Sequence, residues 1–185
     1  MWSRYVLIAL GLGALACGAE DPPPSPPCEQ ACQDKTAVRA LREMMKLAYN
    51  LTLYTNPVGP QDETTPCPQG GQVRVFGEAT ANTLQGANIV SLTYAFSSCG
   101  HLERDDEAGE NYQMTLTGDI TQEGTMAVQP TSTTALVMQS SSMTLSGTVY
   151  DPPLEYQAEA CEVQLGQDGN NVSGMLCGRI VGVDM

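Results

Sequence analysis

The sequence predicts an α+β protein, mainly antiparallel β, in which one N-terminal amphipathic helix packs on a curved, disulfide-pinned antiparallel sheet of about seven or eight strands. Three observations predict this fold. Helical periodicity is confined to a stretch at about 28–53, and short alternating runs broken by Gly, Pro, Asn and Asp follow from about residue 70. Pairs of cysteines also lie symmetrically about turn-like segments. We therefore expect a single domain at 28–185, preceded by two segments of different character.

The first segment, 1–16, has the layout of a secretory signal peptide. Arg4 gives it a basic start, an apolar run fills its middle, and Ala14-Leu15-Ala16 ends it with small residues. The apolar run is too short to cross a hydrocarbon core of about 30 Å as a helix. We therefore expect cleavage after Ala16, which makes Cys17 the first residue of the mature chain.

The motif Ala14-Leu15-Ala16-Cys17 resembles the lipobox of bacterial lipoproteins, in which a diacylglyceryl group is attached to the cysteine. That family usually has Leu, Val or Ile where this chain has Ala14. The alternative is secretion without lipid, because the same small residues fit an ordinary cleavage site. Seven cysteines are an odd number for an oxidising compartment, and lipid on Cys17 leaves six that can pair fully. We therefore expect Cys17 to be lipidated.

Residues 17–27 are predicted to be the lipidated cysteine and a spacer, because GAEDPPPSPP favours extended polyproline II and reaches roughly 30 Å. As a whole, the chain resembles uncharacterised lipoproteins of Gram-negative bacteria, which have a lipobox, a proline spacer and a β domain with many Gly and Cys residues. The resemblance implies a location in the cell envelope, at the outer membrane, with attachment to the membrane through lipid. It implies no specific function. The formal net charge of −13 argues against nucleic acid as a partner.

The helix at about 28–53 has apolar residues on one broad face. Its basic residues lie together on the other side, at positions Lys35, Arg39, Arg42 and Lys46. This stripe is either a surface that contacts membrane phosphates or an acidic partner, or a solvated outer face. We favour the solvated face because the helix lacks the Trp and Phe of interfacial helices. The apolar face consists of Val38, Leu41, Met44, Met45, Leu47, Ala48 and Leu51.

The β region, at about 70–185, divides into short strands separated by turn residues. A recurring motif places Gly77, Gly118 and Gly147 at the same phase, two residues after an apolar one. Glycine inside a strand marks a bend, a bulge or the close approach of another backbone. The predicted strands are Gln72 to Ala79, Ile89 to Ser97, Tyr112 to Thr121, Thr134 to Met138, Met143 to Tyr150, Tyr156 to Leu165, Val172 to Leu176 and Arg179 to Val183.

Symmetry about turns predicts two disulfides. Folding the chain at Gly169 places Cys161 opposite Cys177, Val163 opposite Met175 and Leu165 opposite Ser173. Folding at Thr83 likewise pairs Cys67 with Cys99. Cys28 and Cys32 remain as the third pair, although two cysteines four residues apart within a helix are poorly aimed at each other. Zinc and a thioredoxin-like redox pair are less favoured for these two cysteines, since four suitably spaced ligands and a βαβ context are missing.

The sequence offers few residues for chemistry. His101 is predicted to lie in an exposed polar loop, and none of the familiar hydrolase motifs is present. Asp105, Asp106 and Glu107 belong to an acidic run that could ligate Ca²⁺, but they lack the spacing of a calcium loop and are expected to be solvated. We expect no cofactor and no bound metal.

These features favour a non-enzymatic envelope lipoprotein, a structural or interaction module whose partner is an unknown envelope protein. The second hypothesis is a carrier that shelters a hydrophobic ligand between helix and sheet, for which the methionine content is suitable. A continuous apolar cavity there would favour the carrier, and a filled core would count against it. The third hypothesis is a hydrolase of unrecognised type, which requires His101 beside a Ser and a carboxylate.

Overall fold

The protein is described by a computed structural model over residues 28–53, 57–104, 111–128, 133–149 and 153–185. Within these ranges it forms one helix followed by eight strands of a single antiparallel sheet, and each strand pairs with the next one in the chain. The predicted mainly antiparallel fold is thus confirmed. The predictions for residues 1–27, Cys17 included, and for Asp105, Asp106 and Glu107 fall outside the described residues. The elements are α1 (Gln30–Leu53), β1 (Gly59–Pro66), β2 (Gln72–Asn82), β3 (Ala87–Glu103), β4 (Tyr112–Ala127), β5 (Ala135–Val149), β6 (Leu154–Asp168), β7 (Asn171–Leu176) and β8 (Arg179–Asp184).

Helix α1 begins at Gln30, two residues later than the sequence predicts. The carbonyl oxygen of Glu29 accepts hydrogen bonds from the backbone N–H groups of Cys32 and Gln33, and the side chain of Gln33 donates to the carbonyl of Cys28. Cys28 therefore precedes the helix. The helical geometry that makes a four-residue cysteine pair unfavourable does not apply here, and the disulfide between Cys28 and Cys32 is present.

One side of α1 is buried against the sheet. Val38, Leu41 and Met45 are fully buried, whereas Leu51, predicted on the same face, is exposed. The helix contacts strands β1 to β5 and also β8, so it touches both edges of the open sheet. A single core is formed between the helix and the inward side chains of the strands.

Strand β1 was not predicted, and the β region begins at Gly59 instead of about residue 70. Its sequence GPQDETTP has no alternating apolar residues and contains proline at both ends. Proline is tolerated at the edge of a sheet because one side of an edge strand has no ladder hydrogen bonds to lose. Asp62 of β1 forms an ion pair with Arg74 of β2 across this edge, at 2.6 Å.

Strand β5 is continuous where the sequence predicts two strands, Thr134 to Met138 and Met143 to Tyr150. Its pairing with β6 shifts register on either side of Met143, and these irregularities break the alternation that predicts strands. The recurring glycines do mark close approach. A Cβ added at Gly77 or Gly147 would collide with a backbone oxygen of the neighbouring strand, and both have positive φ, 133° and 151°.

The two longer disulfides have a common architecture. Cys67 lies in the connection between β1 and β2 and bonds Cys99 of β3; Cys177 lies in the connection between β7 and β8 and bonds Cys161 of β6. Each bond therefore ties the turn of an edge hairpin to the third strand. The predicted pairs are present and join the open ends of the predicted β2–β3 and β6–β7 hairpins, although the two cysteines of each bond are not paired residues of the ladder.

The predicted register of the β6–β7 hairpin is wrong by one residue. Val163 pairs with Leu176 instead of Met175, and Leu165 pairs with Gly174 instead of Ser173. The chain reverses through the two residues between Asp168 and Asn171, whereas the prediction required three. Observed pairing places Val163 and Leu176, both fully buried, on the same face of the sheet.

Candidate functional site

A cavity of about 250 Å³ lies between the second half of α1 and strands β3 and β4. The helix contributes residues at helical spacing, and the strands contribute residues from the half of β3 and the half of β4 nearest the pairing of Ala87 with Ala127. Much of the wall is apolar, which suits a small ligand with a hydrophobic body. The apolar lining includes Met45, Tyr49, Leu53, Pro57, Met126 and Val128.

Two polar side chains in the wall have no protein hydrogen-bond partner among the described residues. They are the hydroxyl of Tyr94 and both polar atoms of the Gln122 carboxamide, and both residues are completely buried. Gln122 lies opposite Leu92 on β3 and Met138 on β5, which offer it no polar group. Tyr94 lies opposite Ile120 on β4.

A signal for Gln122 was present in the sequence. The inward positions of β4 alternate through Tyr112, Met114 and Leu116, and Gln122 continues this phase on the far side of an irregularity at Gly118. A glutamine at an inward position of a core strand is an uncommon placement that indicates either a buried network or a ligand. Gln122 is not among the site residues predicted from the sequence.

Arg42 of α1 supplies a positive charge at the same cavity. The residue is half-buried, and its Nε donates to Oε1 of Gln167 at 2.6 Å. Burial lowers the pKa of Arg42, and the nearby Tyr94 and Glu43 oppose that shift. An arginine remains charged in proteins, and in the described part of the chain Arg42 forms no ion pair with a carboxylate.

The four residues of the predicted basic stripe have different environments in the structure. Lys35 and Lys46 are exposed, as a solvated face requires, and Lys46 forms an ion pair with Glu43 at 3.2 Å. Arg39 instead donates to the carbonyl oxygen of Asp184 at 2.9 Å, and Arg42 lines the cavity. The solvated interpretation is therefore wrong for Arg42, because its side chain reaches the sheet.

A second polar cluster, which the sequence did not reveal, is fully satisfied. The buried carboxylate of Asp34 accepts two hydrogen bonds from Arg179, at 2.6 and 2.8 Å, and one each from Tyr156 and Gln30, both at 3.0 Å. Burial alone raises the pKa of Asp34, but these donors together hold it below its ordinary value. The cluster joins the start of α1 to β6 and β8. We assign it a structural role.

His101 lies in strand β3 and is half-buried, so the predicted exposed loop is wrong. Its Nδ1 is 3.3 Å from the hydroxyl of Tyr112, and the two rings are in tilted contact. Burial raises the pKa of Tyr112. Across the described ranges, no group of three or more His, Cys, Asp or Glu residues is placed to hold a metal ion.

Comparison with protein-family models, with curated proteins and with solved structures finds no match to this chain. In the part of the chain that the structure describes, no helix combines the length and the apolar character needed to cross a membrane.

Proposed function

We propose that this protein is a non-enzymatic, lipid-anchored protein of the bacterial cell envelope that binds a small hydrophobic ligand between α1 and the sheet. The proposal has two parts, the anchor and the binding site, which rest on different observations and are tested separately.

The anchor is supported by cysteine pairing. Cys28, Cys32, Cys67, Cys99, Cys161 and Cys177 are consumed by three disulfides, which leaves Cys17 over from the seven in the sequence. Lipid on Cys17 attaches the protein to a membrane, the outer membrane by resemblance to other lipoproteins. We expect protein from its native host to have the mass of a chain that begins at Cys17 plus a diacylglyceryl group and further acylation. An unmodified Cys17 or an uncleaved leader would contradict the anchor.

The binding site is supported by the cavity and its shape. Eight flat strands would be about 34 Å wide, and an α-helix is about 10 Å across. Because α1 contacts both edge strands, we infer that the sheet curves around the apolar side of an amphipathic helix. The cavity of about 250 Å³ lies between the helix and this sheet. The observation that carries the proposal is this apolar cavity, in whose wall Tyr94 and Gln122 have no hydrogen-bond partner among the residues that the structure describes.

Binding is tested with 1-octanol as an uncharged hydrophobic probe, in calorimetric titrations of the full chain carrying Cys17→Ser. That substitution removes the site of acylation. The protein without lipid needs no detergent, so no detergent competes with the probe for the cavity. Met126 lines the cavity from the same inward phase of β4 as Gln122, and Met126→Trp fills part of it, so we expect at least a tenfold loss of affinity. Val137→Trp is the matched control, because Val137 is 50% exposed on β5 and should leave binding unchanged. Equal binding by both variants, or no binding by the parent, would contradict the carrier function.

A structural or interaction module is the second candidate. On the outer face of the β7–β8 hairpin, Ile180 is 89% exposed and pairs with the partly exposed Met175. Apolar side chains at the edge of a sheet are features of protein interfaces. Loss of a copurifying envelope protein on Ile180→Thr, with octanol binding absent, would favour this candidate.

A further inference from the structure

The polar end of the cavity indicates the chemistry of its ligand. Buried hydroxyl and amide groups without a partner destabilise a protein, and native proteins leave few of them. Here the Tyr94 hydroxyl and the Gln122 carboxamide are both unpartnered among the described residues and both line one cavity. A ligand that accepts from the Tyr94 hydroxyl and from Nε2 of Gln122 removes the cost of these two donors.

The charge at the cavity limits the kind of ligand head group. The half-buried Arg42 forms no ion pair with a carboxylate in the ranges described, whereas Lys46 at the same opening pairs with Glu43. A cationic head group would be repelled, and an uncharged one would leave Arg42 without a counter-ion. The guanidinium, the phenol and the amide N–H₂ are all donors, so an anionic oxygen group can accept from all three.

The volume of the cavity limits the size of the apolar part of the ligand. A dry cavity of about 150 Å³ accommodates benzene, with its six carbons. By proportion, a cavity of about 250 Å³ accommodates about ten non-hydrogen atoms. A carboxylate with a chain of about eight carbons has this number.

We propose that the cavity binds a medium-chain monocarboxylate, whose carboxylate is held by Arg42, Tyr94 and Gln122 and whose alkyl chain lies against Met45, Leu53 and Met126. The inference rests on the proposed function, since it specifies the ligand of the same cavity.

The test compares octanoate with 1-octanol, which has the same chain length and no charge, in calorimetric titrations of the full-chain Cys17→Ser protein at pH 7.5. Charge-assisted hydrogen bonds are worth about 1.5–3 kcal/mol, so we expect octanoate to bind at least tenfold more tightly than octanol. Arg42→Gln should weaken octanoate at least tenfold and change octanol less than twofold. Lys35→Gln removes one positive charge from an exposed position on the same helix and should change both affinities less than twofold.

The outcomes separate this inference from the proposed function. Equal affinities for octanoate and octanol would overturn the carboxylate site and leave the hydrophobic carrier in place. Absence of binding by either probe would overturn both. If Arg42→Gln does not fold, Tyr94→Phe replaces it: a severalfold loss for octanoate alone supports the site, and an unchanged octanoate affinity overturns it.

Discussion

The unpartnered hydroxyl of Tyr94 gives the sharpest prediction about stability. The ring is completely buried, packs on Phe96 and has no described protein group bonded to its oxygen. Tyr94→Phe keeps the ring and removes only that oxygen, so the free protein no longer bears a desolvation cost of about 1–3 kcal/mol. We therefore expect the free energy of unfolding to rise by about 1–2 kcal/mol, which corresponds to a rise in Tm of roughly 2–8 °C.

The measurement is urea unfolding of the ligand-free Cys17→Ser chain under non-reducing conditions, followed by circular dichroism, with the m-value compared between variants. Tyr156→Phe is the matched control. It removes a hydroxyl that donates to Asp34 at 3.0 Å, and we expect it to lower stability by about 1–3 kcal/mol. The same chemical change should thus act with opposite sign at the two positions. A loss of 1 kcal/mol or more at Tyr94 would refute the reasoning.

Three further predictions concern the scaffold. Asp34→Asn should lower stability at pH 7 by about 2 kcal/mol. Because the folded pKa of Asp34 is depressed, its contribution is present above the unfolded value of about 3.8 and lost below it, so unfolding curves of variant and parent should converge as the pH falls. Replacing Cys161 and Cys177 together by Ser should cost about 3 kcal/mol in the same assay, and a change below 1 kcal/mol would contradict the edge-hairpin role. Gly147→Ala should lower the free energy of unfolding by about 2 kcal/mol, because φ at this position is positive and an added Cβ meets the carbonyl oxygen of Gln113. An unchanged Tm would show that the backbone of the sheet shifts there to accommodate the methyl group.

The sheet was predictable where its strands alternate, and not where pairing is irregular. In β3, β4 and β6, the apolar residues that face the core alternate with outward residues, and this period of two is visible in the sequence. Strand β1 has no such residues, since it lies at the edge and is held mainly by its ladder to β2. The pairing of Cys161 with Cys177 could be inferred from symmetry. The one-residue shift of register could not be inferred, because the residues around Gly169 are compatible with both a three-residue and a two-residue turn.

The cavity could not be predicted from the sequence, for a different reason. Periodicity shows which residues face inward, and on that basis Gln122 is detectable. Periodicity does not show that Arg42, about 80 positions earlier in the chain, lies at the same part of the sheet as Gln122. Contacts between distant segments depend on how the helix crosses the strands, which local propensity does not encode.

The disulfide between Cys28 and Cys32 has a mechanical consequence. It closes a short covalent loop where the chain enters the folded domain, just ahead of the first turn of α1. Tension applied from residues before 28 passes through the sulfur atoms directly into Cys32, which is already inside the helix. The first turn is thereby shielded from peeling, and the load reaches the part of α1 that Asp34 fastens to Arg179 and Tyr156. A domain pulled by its leading end would resist unravelling at this point.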